Sequence, residues 1–406
     1  MNQAALGFSK IDITPKKSVE MVGFYRQDNK SRGILDPLYA EISLWTINQE
    51  KYCFITLDHI GYMLEDANML RDRIAQYLEI LQDHVMLCFS HTHSSVNISM
   101  EPKYFDWVCR QVLKGVQEAE KNCQPIKAAA KNIHTEIGIN RRDPQGALDD
   151  RIGIIKITNA ITDALQLILL RVTAHANILY DDNYLISADY FGMTRKYLED
   201  KYHCHVMITQ GASGNVEAID QESSVDSLKA MAHRIMEAIA LPLDEMVTQP
   251  IDQLNMYSES VRFAADVPTP LRAQQIANEA MEMNHIDGTQ WLTEVERVNS
   301  LHITQQYQTI EIQYFYINDY VLCGVPNEVM CELALEIAEV CPQIYFGGYT
   351  NGCTGYLPTA TEYDKGGYEV LHSYLIYYIY HKTLMPLNRD SADQLIKAVL
   401  AYRQDK

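Results

Sequence analysis

The sequence predicts an α/β fold in which mixed sheets are covered by helices. Apolar runs of strand length alternate with amphipathic runs of helix length, a pattern typical of strand–helix–strand units. Polar residues follow the strand-like runs, and open α/β sheets place their active sites beyond the carboxyl ends of the strands. The 406 residues contain no linker rich in Pro, Gly or Ser and no block of like charges. We therefore expect one continuous domain, residues 1–406.

Three strand–helix–strand units are predicted. Each begins with an apolar strand, continues through a helix to a second apolar strand, and carries polar residues after both strands. The units span residues 51–95, 165–215 and 320–356. We expect the three sets of polar residues to converge on one site, because strand ends of this kind share an edge of the fold.

The segments between the units are predicted to support the sheets. Residues 102–122 and 225–240 have the spacing of amphipathic helices. Residues 268–300 are predicted to be helical and to form a lid or a packing insertion. Residues 301–317 alternate with period two, which predicts a long, half-buried strand.

The chain is acidic, with 34 Lys and Arg against 53 Asp and Glu and a formal net charge of −19. Proteins that bind nucleic acid or anionic membranes concentrate positive charge on one face, so neither partner is expected. A small-molecule substrate is the partner that remains, and the sequence carries no signal of an oligomeric state.

Three observations bear on the compartment. The nine cysteines form no CxxC pair, the N-terminus lacks the pattern of a signal peptide, and no apolar run has the length of a membrane span. They predict a reducing, cytoplasmic location without stable membrane association.

The sharpest local motif is Ser90-His91-Thr92-His93, directly after the apolar run VMLCF. In an extended chain the two imidazoles of an HxH motif fall on the same side, so both can address one point in space. Metal binding is the usual reason for such a pair, and the alternative is two surface histidines at a strand end. The flanking hydroxyl groups could orient the rings through hydrogen bonds.

Residue types that bind metals also occur at equivalent positions of the other two units. His175 ends the first strand of the second unit, Glu328 ends the first strand of the third, and Tyr356 lies in the loop after the third unit. Zinc binds imidazole nitrogen and carboxylate oxygen, and a catalytic zinc site leaves a position for water or substrate. The alternatives are a hydrogen-bonded core residue for His175, a first-turn helix carboxylate for Glu328, and a core or stacking residue for Tyr356.

In order along the chain, these motifs resemble the N-terminal catalytic domain of the neutral/alkaline non-lysosomal ceramidase family over nearly the whole length. The motifs are Gly23–Arg26 (GFYR), Asp36–Tyr39 (DPLY), His91–Ser94 (HTHS), Asn140–Arg142 (NRR), His175 with ISADYFG downstream, Gln210–Asn215 (QGASGN), Pro326–Glu328 (PNE) and Gly348–Thr359. The resemblance implies the fold of that domain and a zinc-dependent, ceramidase-like amide hydrolase.

By this resemblance the zinc ligands are His91, His175, Glu328 and Tyr356, which include the residues proposed above. His93 then lies beside the metal and near the scissile bond. It is expected to act as a general acid or hydrogen-bond donor, with Tyr356 helping to stabilise the oxyanion.

The sequence departs from the family pattern at three places. Glu217 stands where the G-D-V-S-P-N turn of ceramidases has a serine that is regarded as the nucleophile. Ser95-Val96-Asn97 replaces a proline and glycines after HTHS, and the sequence stops where ceramidases continue into an immunoglobulin-like domain. We therefore expect metal-activated water to cleave an amide or related acyl bond of a small soluble substrate rather than ceramide.

The remaining predicted site residues bind or activate the substrate. Glu217 is predicted to be a general base or an anchor for a substrate amine, and its alternative is a solvated loop carboxylate. Arg26 and Arg141 are predicted to bind a substrate carboxylate or sugar hydroxyls, because a guanidinium offers paired donors; either could instead form a structural ion pair. Asn215 is predicted to contact the substrate.

Other functions stay open on the sequence alone. Water activation does not depend on the leaving group, so an ester or lactone hydrolase is the nearest alternative. A non-catalytic binding protein that retains the fold is another, because the ceramidase serine is absent. A glycosidase is weaker, since its only candidate carboxylate pair is Glu217 with Glu328, a residue already assigned to metal.

Overall fold

The computed structural model describes residues 3–401, which form nineteen strands and ten α-helices. The first and last residues of the predicted domain, 1 and 406, lie outside the described range. The strands are β1 (Ala5–Asp12), β2 (Gly33–Ile34), β3 (Tyr39–Ile47), β4 (Glu50–Leu57), β5 (Val85–Phe89), β6 (Gln124–His134), β7 (Gly138–Asn140), β8 (Arg151–Asn159), β9 (Leu165–Val172), β10 (Leu185–Ile186), β11 (His205–Gln210), β12 (Val216–Ala218), β13 (Gln249–Pro250), β14 (Leu254–Asp266), β15 (Gln305–Ile317), β16 (Tyr320–Gly324), β17 (Glu328–Val329), β18 (Ile344–Gly347) and β19 (Tyr356–Leu357).

Helices separate and follow these strands. They are α1 (Leu64–Leu78), α2 (Pro102–Lys121), α3 (Asp189–Tyr202), α4 (Val225–Glu245), α5 (Pro270–Asn284), α6 (Thr289–Ser300), α7 (Cys331–Val340), α8 (Ala360–Lys365), α9 (Tyr374–His381) and α10 (Ser391–Ala401). A short 3-10 helix spans Gln82–His84, and a π-helical turn spans Tyr368–His372.

Two mixed sheets form the framework. The large sheet has the strand order β11-β9-β8-β6-β1-β3-β4-β5, with β13 also paired to β6, and the second sheet has the order β14-β15-β16-β18. Within them β4 and β5, β9 and β11, and β16 and β18 pair in parallel, while the other pairs in these sheets are antiparallel. Each parallel pair is joined through a helix, so the three predicted strand–helix–strand units and the mixed α/β fold are confirmed.

The two sheets pack face to face. Trp45, Phe54 and Ile155 of the large sheet share one buried apolar cluster with Met256 and Phe315 of the second sheet. The Phe315 ring centroid lies 5.3 Å from that of Trp45 and 6.0 Å from that of Phe54. Because side chains alternate along a strand, each sheet buries one face against the other sheet and its opposite face against helices.

Helices cover the outer faces of both sheets. Ile42 and Ile55 on the outer face of the large sheet pack with residues of α1 and α2. Helices α3 and α4 cover β8, β9 and β11 in a second cluster, and α7 and α10 cover the second sheet in a third. The result is a layered α/β/β/α arrangement whose cores lie between layers.

The predicted supporting elements are present with shifted ends. Helix α2 matches the predicted helix 102–122, and α4 extends five residues beyond the predicted 225–240. The predicted helical segment 268–300 is two helices, because His285 takes a left-handed conformation (φ 56°) and ends α5. Helices α5 and α6 pack with Leu375 and Leu384 in a cluster of their own, as a packing insertion would. The strand predicted over 301–317 begins at Gln305.

No helix among residues 3–401 combines the length and the apolar character needed to cross a membrane.

Candidate metal centre

Three loops that follow parallel strands bring the predicted ligands together. His91 and His93 come after β5, His175 comes after β9, and Glu328 lies four residues beyond β16. The Nε2 atoms of His91 and His175 lie 3.2 Å and 3.4 Å from the same oxygen, Oε2 of Glu328. The convergence expected from the three units is therefore present in the structure.

The other ring nitrogen of each of these histidines is held by a main-chain carbonyl. Nδ1 of His91 lies 2.6 Å from the oxygen of Ile60, and Nδ1 of His175 lies 2.7 Å from the oxygen of Ser213. A carbonyl oxygen can only accept, so each Nδ1 carries a proton, and each Nε2 faces Glu328. Hydrogen bonds of this kind, from the ring nitrogen that does not face the metal, orient metal-binding histidines.

His93 lies beside these two residues and is less buried than either. One ligand atom from each of His91, His93 and His175 falls within a group whose atoms are all within 4.8 Å of one another. Neither ring nitrogen of His93 has a hydrogen-bond partner among residues 3–401. The His93 ring centroid is 5.0 Å from that of His91 and 4.8 Å from that of Phe24. His93 is thus free to coordinate a metal or to exchange a proton with a substrate.

The protonation states suit a divalent cation. Burial lowers the pKa of His175 to about 4 and the pKa of His93 well below its usual range, so both rings are neutral. Burial alone would raise the pKa of Glu328, but its contacts with His91 and His175 hold that pKa well below its usual range. Imidazoles together with one carboxylate form a donor set typical of a catalytic zinc site.

Tyr356 lies next to Glu328 through backbone pairing. Strands β17 and β19 are parallel, and Glu328 and Tyr356 are direct partners in their register. The hydroxyl oxygen of Tyr356 accepts a hydrogen bond of 3.2 Å from Nη2 of Arg141. Burial, and then the nearby Glu328 carboxylate, raise the pKa of Tyr356, so its hydroxyl is protonated in the metal-free protein.

Arg141 connects this tyrosine to acidic side chains. Its Nε lies 2.9 Å from Oε1 of Glu369, its Nη1 lies 3.7 Å from Oε1 of Glu217, and its Nη2 donates to the carbonyl of Gly214 at 2.8 Å. Glu217 keeps about a quarter of its side chain exposed (24%) and accepts a weak hydrogen bond from Gln221. Arg141 and Glu217 are therefore both placed at the candidate site.

The other two predicted substrate-binding residues make internal contacts. Arg26 is buried and donates to the carbonyls of His93 (3.0 Å) and Asn183 (2.6 Å). Asn215 is fully buried, its side-chain oxygen accepts from the amide of Cys331, and its amide nitrogen donates to Glu332 at 3.0 Å. These contacts favour structural roles: Arg26 fixes the main chain of His93, and Asn215 ties its loop to the start of α7.

Several residues that contact the site were not predicted from the sequence. They are Ser213, Tyr349, Cys353 and Glu369. Tyr349 lies in the motif Gly348–Thr359, but it is one of 26 tyrosines and the motif alone does not assign it a role at the site. Glu369 lies in the π-helical turn, and such turns occur often at functional sites but have no clear sequence signature.

Comparisons by sequence found no relative: no protein-family model matches the chain, and no curated protein matches it. Comparison of structures gives a clear result. The neutral ceramidase from Pseudomonas aeruginosa superposes with a TM-score of 0.72 at 16% sequence identity, covering 97% of this chain and 75% of that chain. A ceramidase complexed with C2 gives a TM-score of 0.71 at 15% identity and covers 97% of this chain and 76% of that chain. The resemblance read from the ordered motifs is thus confirmed in three dimensions, and this chain has the fold of the neutral ceramidases.

Proposed function

We propose that this protein is a zinc-dependent hydrolase that cleaves an amide bond of a small soluble substrate. The observation that carries the proposal is the pair of histidines whose Nδ1 atoms are each bonded to a carbonyl, at 2.6 Å and 2.7 Å, while both Nε2 atoms face one carboxylate oxygen. Such an arrangement suits a metal, because two imidazole nitrogens and one carboxylate oxygen converge on one point while the opposite ring nitrogens are already held by carbonyls.

His91, His175 and Glu328 would hold the metal, with Tyr356 as a fourth, weaker ligand. Zinc bound there would polarise a substrate carbonyl and lower the pKa of a bound water toward 7. The proposal includes no serine nucleophile, because Glu217 stands at the position of the ceramidase serine.

The chain's own side chains supply the remaining functions. His93 has two unpartnered ring nitrogens and a neutral ring, so it is assigned to accept a proton released by the attacking water and to deliver that proton to the amide nitrogen that leaves. Arg141 donates to the hydroxyl of Tyr356 and so orients that phenol toward the oxyanion that develops on the substrate. Glu217, partly exposed beside Arg141, is assigned as a general base or as the anchor of a substrate amine.

The amide specificity draws support from the fold, since the two structures named above are ceramidases. The proposed substrate is smaller and more soluble than a sphingolipid, since the net charge of −19 disfavours an anionic membrane surface. We also propose that the whole chain acts as one catalytic domain in the cytoplasm. The nine cysteines, all within the described residues and all free, are consistent with a reducing compartment.

A substrate panel tests the proposed reaction. Purified protein stripped with a chelator and then given Zn²⁺ is assayed on N-acyl amines, N-acyl amino acids, simple esters and lactones. We expect hydrolysis of amides that disappears on chelation and returns with Zn²⁺. Turnover of esters or lactones alone would instead favour the ester or lactone hydrolase. Zinc-independent binding without turnover would favour a binding protein.

A further inference from the structure

Tyr349 follows β18, the last strand of the third unit, and lies at the centre of the candidate metal centre. Its side chain is completely buried (0% exposed) and its backbone φ is 54°. A bulky residue with a left-handed backbone is uncommon, and the strain persists only where surrounding contacts impose it. Here the amide of Tyr349 donates to the carbonyl of Asn327, and its own carbonyl accepts from the amide of Phe89. Both neighbours border the loops that carry the predicted ligands.

The aromatic ring of Tyr349 packs against one predicted ligand. Its centroid lies 4.2 Å from that of His91 at an interplanar angle of 36°, and 6.3 Å from that of His175. The ring therefore limits the rotation of the His91 imidazole, whose Nδ1 is fixed separately by the carbonyl of Ile60.

The hydroxyl of Tyr349 contacts Glu328 directly and is linked to His175 through Ser213. It donates to Oε2 of Glu328 at 3.4 Å, the oxygen that both histidine Nε2 atoms approach, and lies 3.0 Å from Oγ of Ser213. Since the tyrosine proton goes to Glu328, the Ser213 hydroxyl donates to the tyrosine oxygen. The main-chain carbonyl of the same serine accepts from Nδ1 of His175. One side chain thus connects His91, His175 and Glu328.

The opposite carboxylate oxygen of Glu328 has a different neighbour. Oε1 lies 4.0 Å from Sγ of Cys353, a long thiol contact. The hydroxyl of Tyr349 is therefore the stronger of the two side-chain donors outside the histidines, and it fixes which oxygen of Glu328 faces the histidine pair.

We infer that Tyr349 is a positioning residue of the metal centre: its ring holds His91 and its hydroxyl holds Glu328 with Oε2 toward both Nε2 atoms. This inference rests on the proposed function, because it takes the histidine and glutamate cluster to bind a metal. Tyr349 differs from Tyr356, whose hydroxyl is bonded to Arg141 and is assigned as a ligand.

The test is the zinc affinity of Tyr349→Phe, which keeps the ring and removes only the hydroxyl. Metal-free protein is titrated with Zn²⁺ against a competing chelator, and Co²⁺-loaded protein is examined by visible absorption spectroscopy. We expect a dissociation constant for Zn²⁺ about 10- to 100-fold above that of the wild type. This is the usual effect of removing a hydrogen bond to a metal ligand. The Co²⁺ bands should shift, while the melting temperature of the metal-free protein changes little.

Tyr62→Phe is the matched control. Tyr62 is 1% exposed, and its hydroxyl has no hydrogen-bond partner among residues 3–401. Removing that hydroxyl should leave both the zinc affinity and the Co²⁺ spectrum unchanged.

Ser213→Ala provides a second route to the same question. It removes the donor to the tyrosine oxygen but keeps the carbonyl that holds His175, so a smaller loss of zinc affinity is expected. Wild-type affinity in both Tyr349→Phe and Ser213→Ala would overturn the inference while leaving the proposed function intact. A wild-type protein that binds no zinc would instead contradict the proposed function itself.

Discussion

At the scale of single residues, backbone conformation and hydrogen bonds orient the two buried histidines after β5 and β9. His91 has a φ of 61°, a left-handed conformation that turns the chain sharply at the end of β5 and places its ring beside His175. Each ring then has one nitrogen committed to a carbonyl and the other facing Glu328. Desolvation keeps the His175 imidazole neutral, the form that binds a metal.

Glu217→Ala tests the role of the residue that replaces the ceramidase serine. Arg141 retains its 2.9 Å contact with Glu369 in this variant, so the arginine is not left uncompensated. We expect kcat/KM to fall by about 10²- to 10⁴-fold if a general base is lost, and by about tenfold or more if a charged anchor is lost. A lower kcat at constant KM assigns the general base, and a higher KM at constant kcat assigns the substrate anchor. Unchanged steady-state kinetics would show that Glu217 is a solvated loop carboxylate with no role in the reaction.

At the scale of elements, the loop before β2 covers one side of the candidate site. Gly23 has a φ of 107°, and a Cβ atom placed there would lie 2.5 Å from Cα of His93. Arg26 in the same loop donates to the carbonyl of His93, and the ring of Phe24 packs against the His93 ring at an interplanar angle of 55°. The close approach of this loop therefore depends on a glycine.

Gly23→Ala should move this loop away from His93. We expect the free energy of unfolding to fall by about 1–3 kcal/mol, from backbone strain together with the steric contact, and kcat/KM to fall with it. Chemical denaturation and kinetics measure the two effects. Gly366→Ala is the control, because Gly366 also has a positive φ (64°) but a Cβ there would meet nothing closer than 3.4 Å. Equal effects of both substitutions would contradict the role assigned to the loop.

Another element-scale feature is the buried ion cluster that joins the two sheets. Asp149 precedes β8 and pairs with Arg151 of β8 and Arg171 of β9, and Arg171 also donates to the carbonyl of Phe346 in β18 at 2.9 Å. Burial would raise the pKa of Asp149, but the guanidinium groups of Arg171 and Arg151 outweigh it and lower that pKa to about 2.

This cluster predicts a defined acid dependence of stability. A carboxylate whose pKa falls from 3.8 to about 2 on folding stabilises the protein above pH 4, by about 2 kcal/mol, and loses that contribution as the pH falls from 4 toward 2. Asp149→Asn should lower the free energy of unfolding at pH 7 by about 3–5 kcal/mol, since the buried Arg171 and the partly buried Arg151 lose their partner. It should also remove this part of the acid dependence.

Asp163→Asn is the matched control for this charge removal. Asp163 pairs with Lys127, but 74% of its side chain is exposed, so its effect should be small. Denaturant unfolding of the three proteins between pH 2 and 7 measures both quantities. Equal stability of Asp149→Asn and wild type at pH 7 would contradict the assigned contribution.

At the scale of the whole molecule, the sequence predicted the units better than their assembly. The alternation of apolar strands and helices was sufficient to place the three parallel strand pairs and the polar residues that follow them. The face-to-face packing of two sheets involves contacts such as Trp45 with Phe315, 270 residues apart, which no local pattern encodes. Element ends shifted where single residues, such as His285, took left-handed conformations.

The sequence predicted the site residues that follow strands, but not those that reach the site through tertiary contacts. His91, His175 and Glu328 could be identified because each follows a strand of a recognisable unit, and the structure brings them together. Tyr349 and Glu369 could not, because their roles arise from tertiary contacts with Glu328 and Arg141. Asn215 was predicted to contact the substrate, but its side-chain amide is bonded to Cys331 and Glu332. These partners lie more than a hundred residues away, so the sequence did not reveal them.

The central claim is that the three units hold one metal ion. Elemental analysis of the purified protein, with the variants His91→Ala and His175→Ala, tests it most directly, and His134→Ala, at an exposed histidine paired with Asp150, is the control. We predict about one zinc per chain in the wild type and in the control, almost none in the two site variants, and a lower melting temperature after chelation. A wild-type protein with substoichiometric zinc and a melting temperature that does not respond to chelators would contradict the claim.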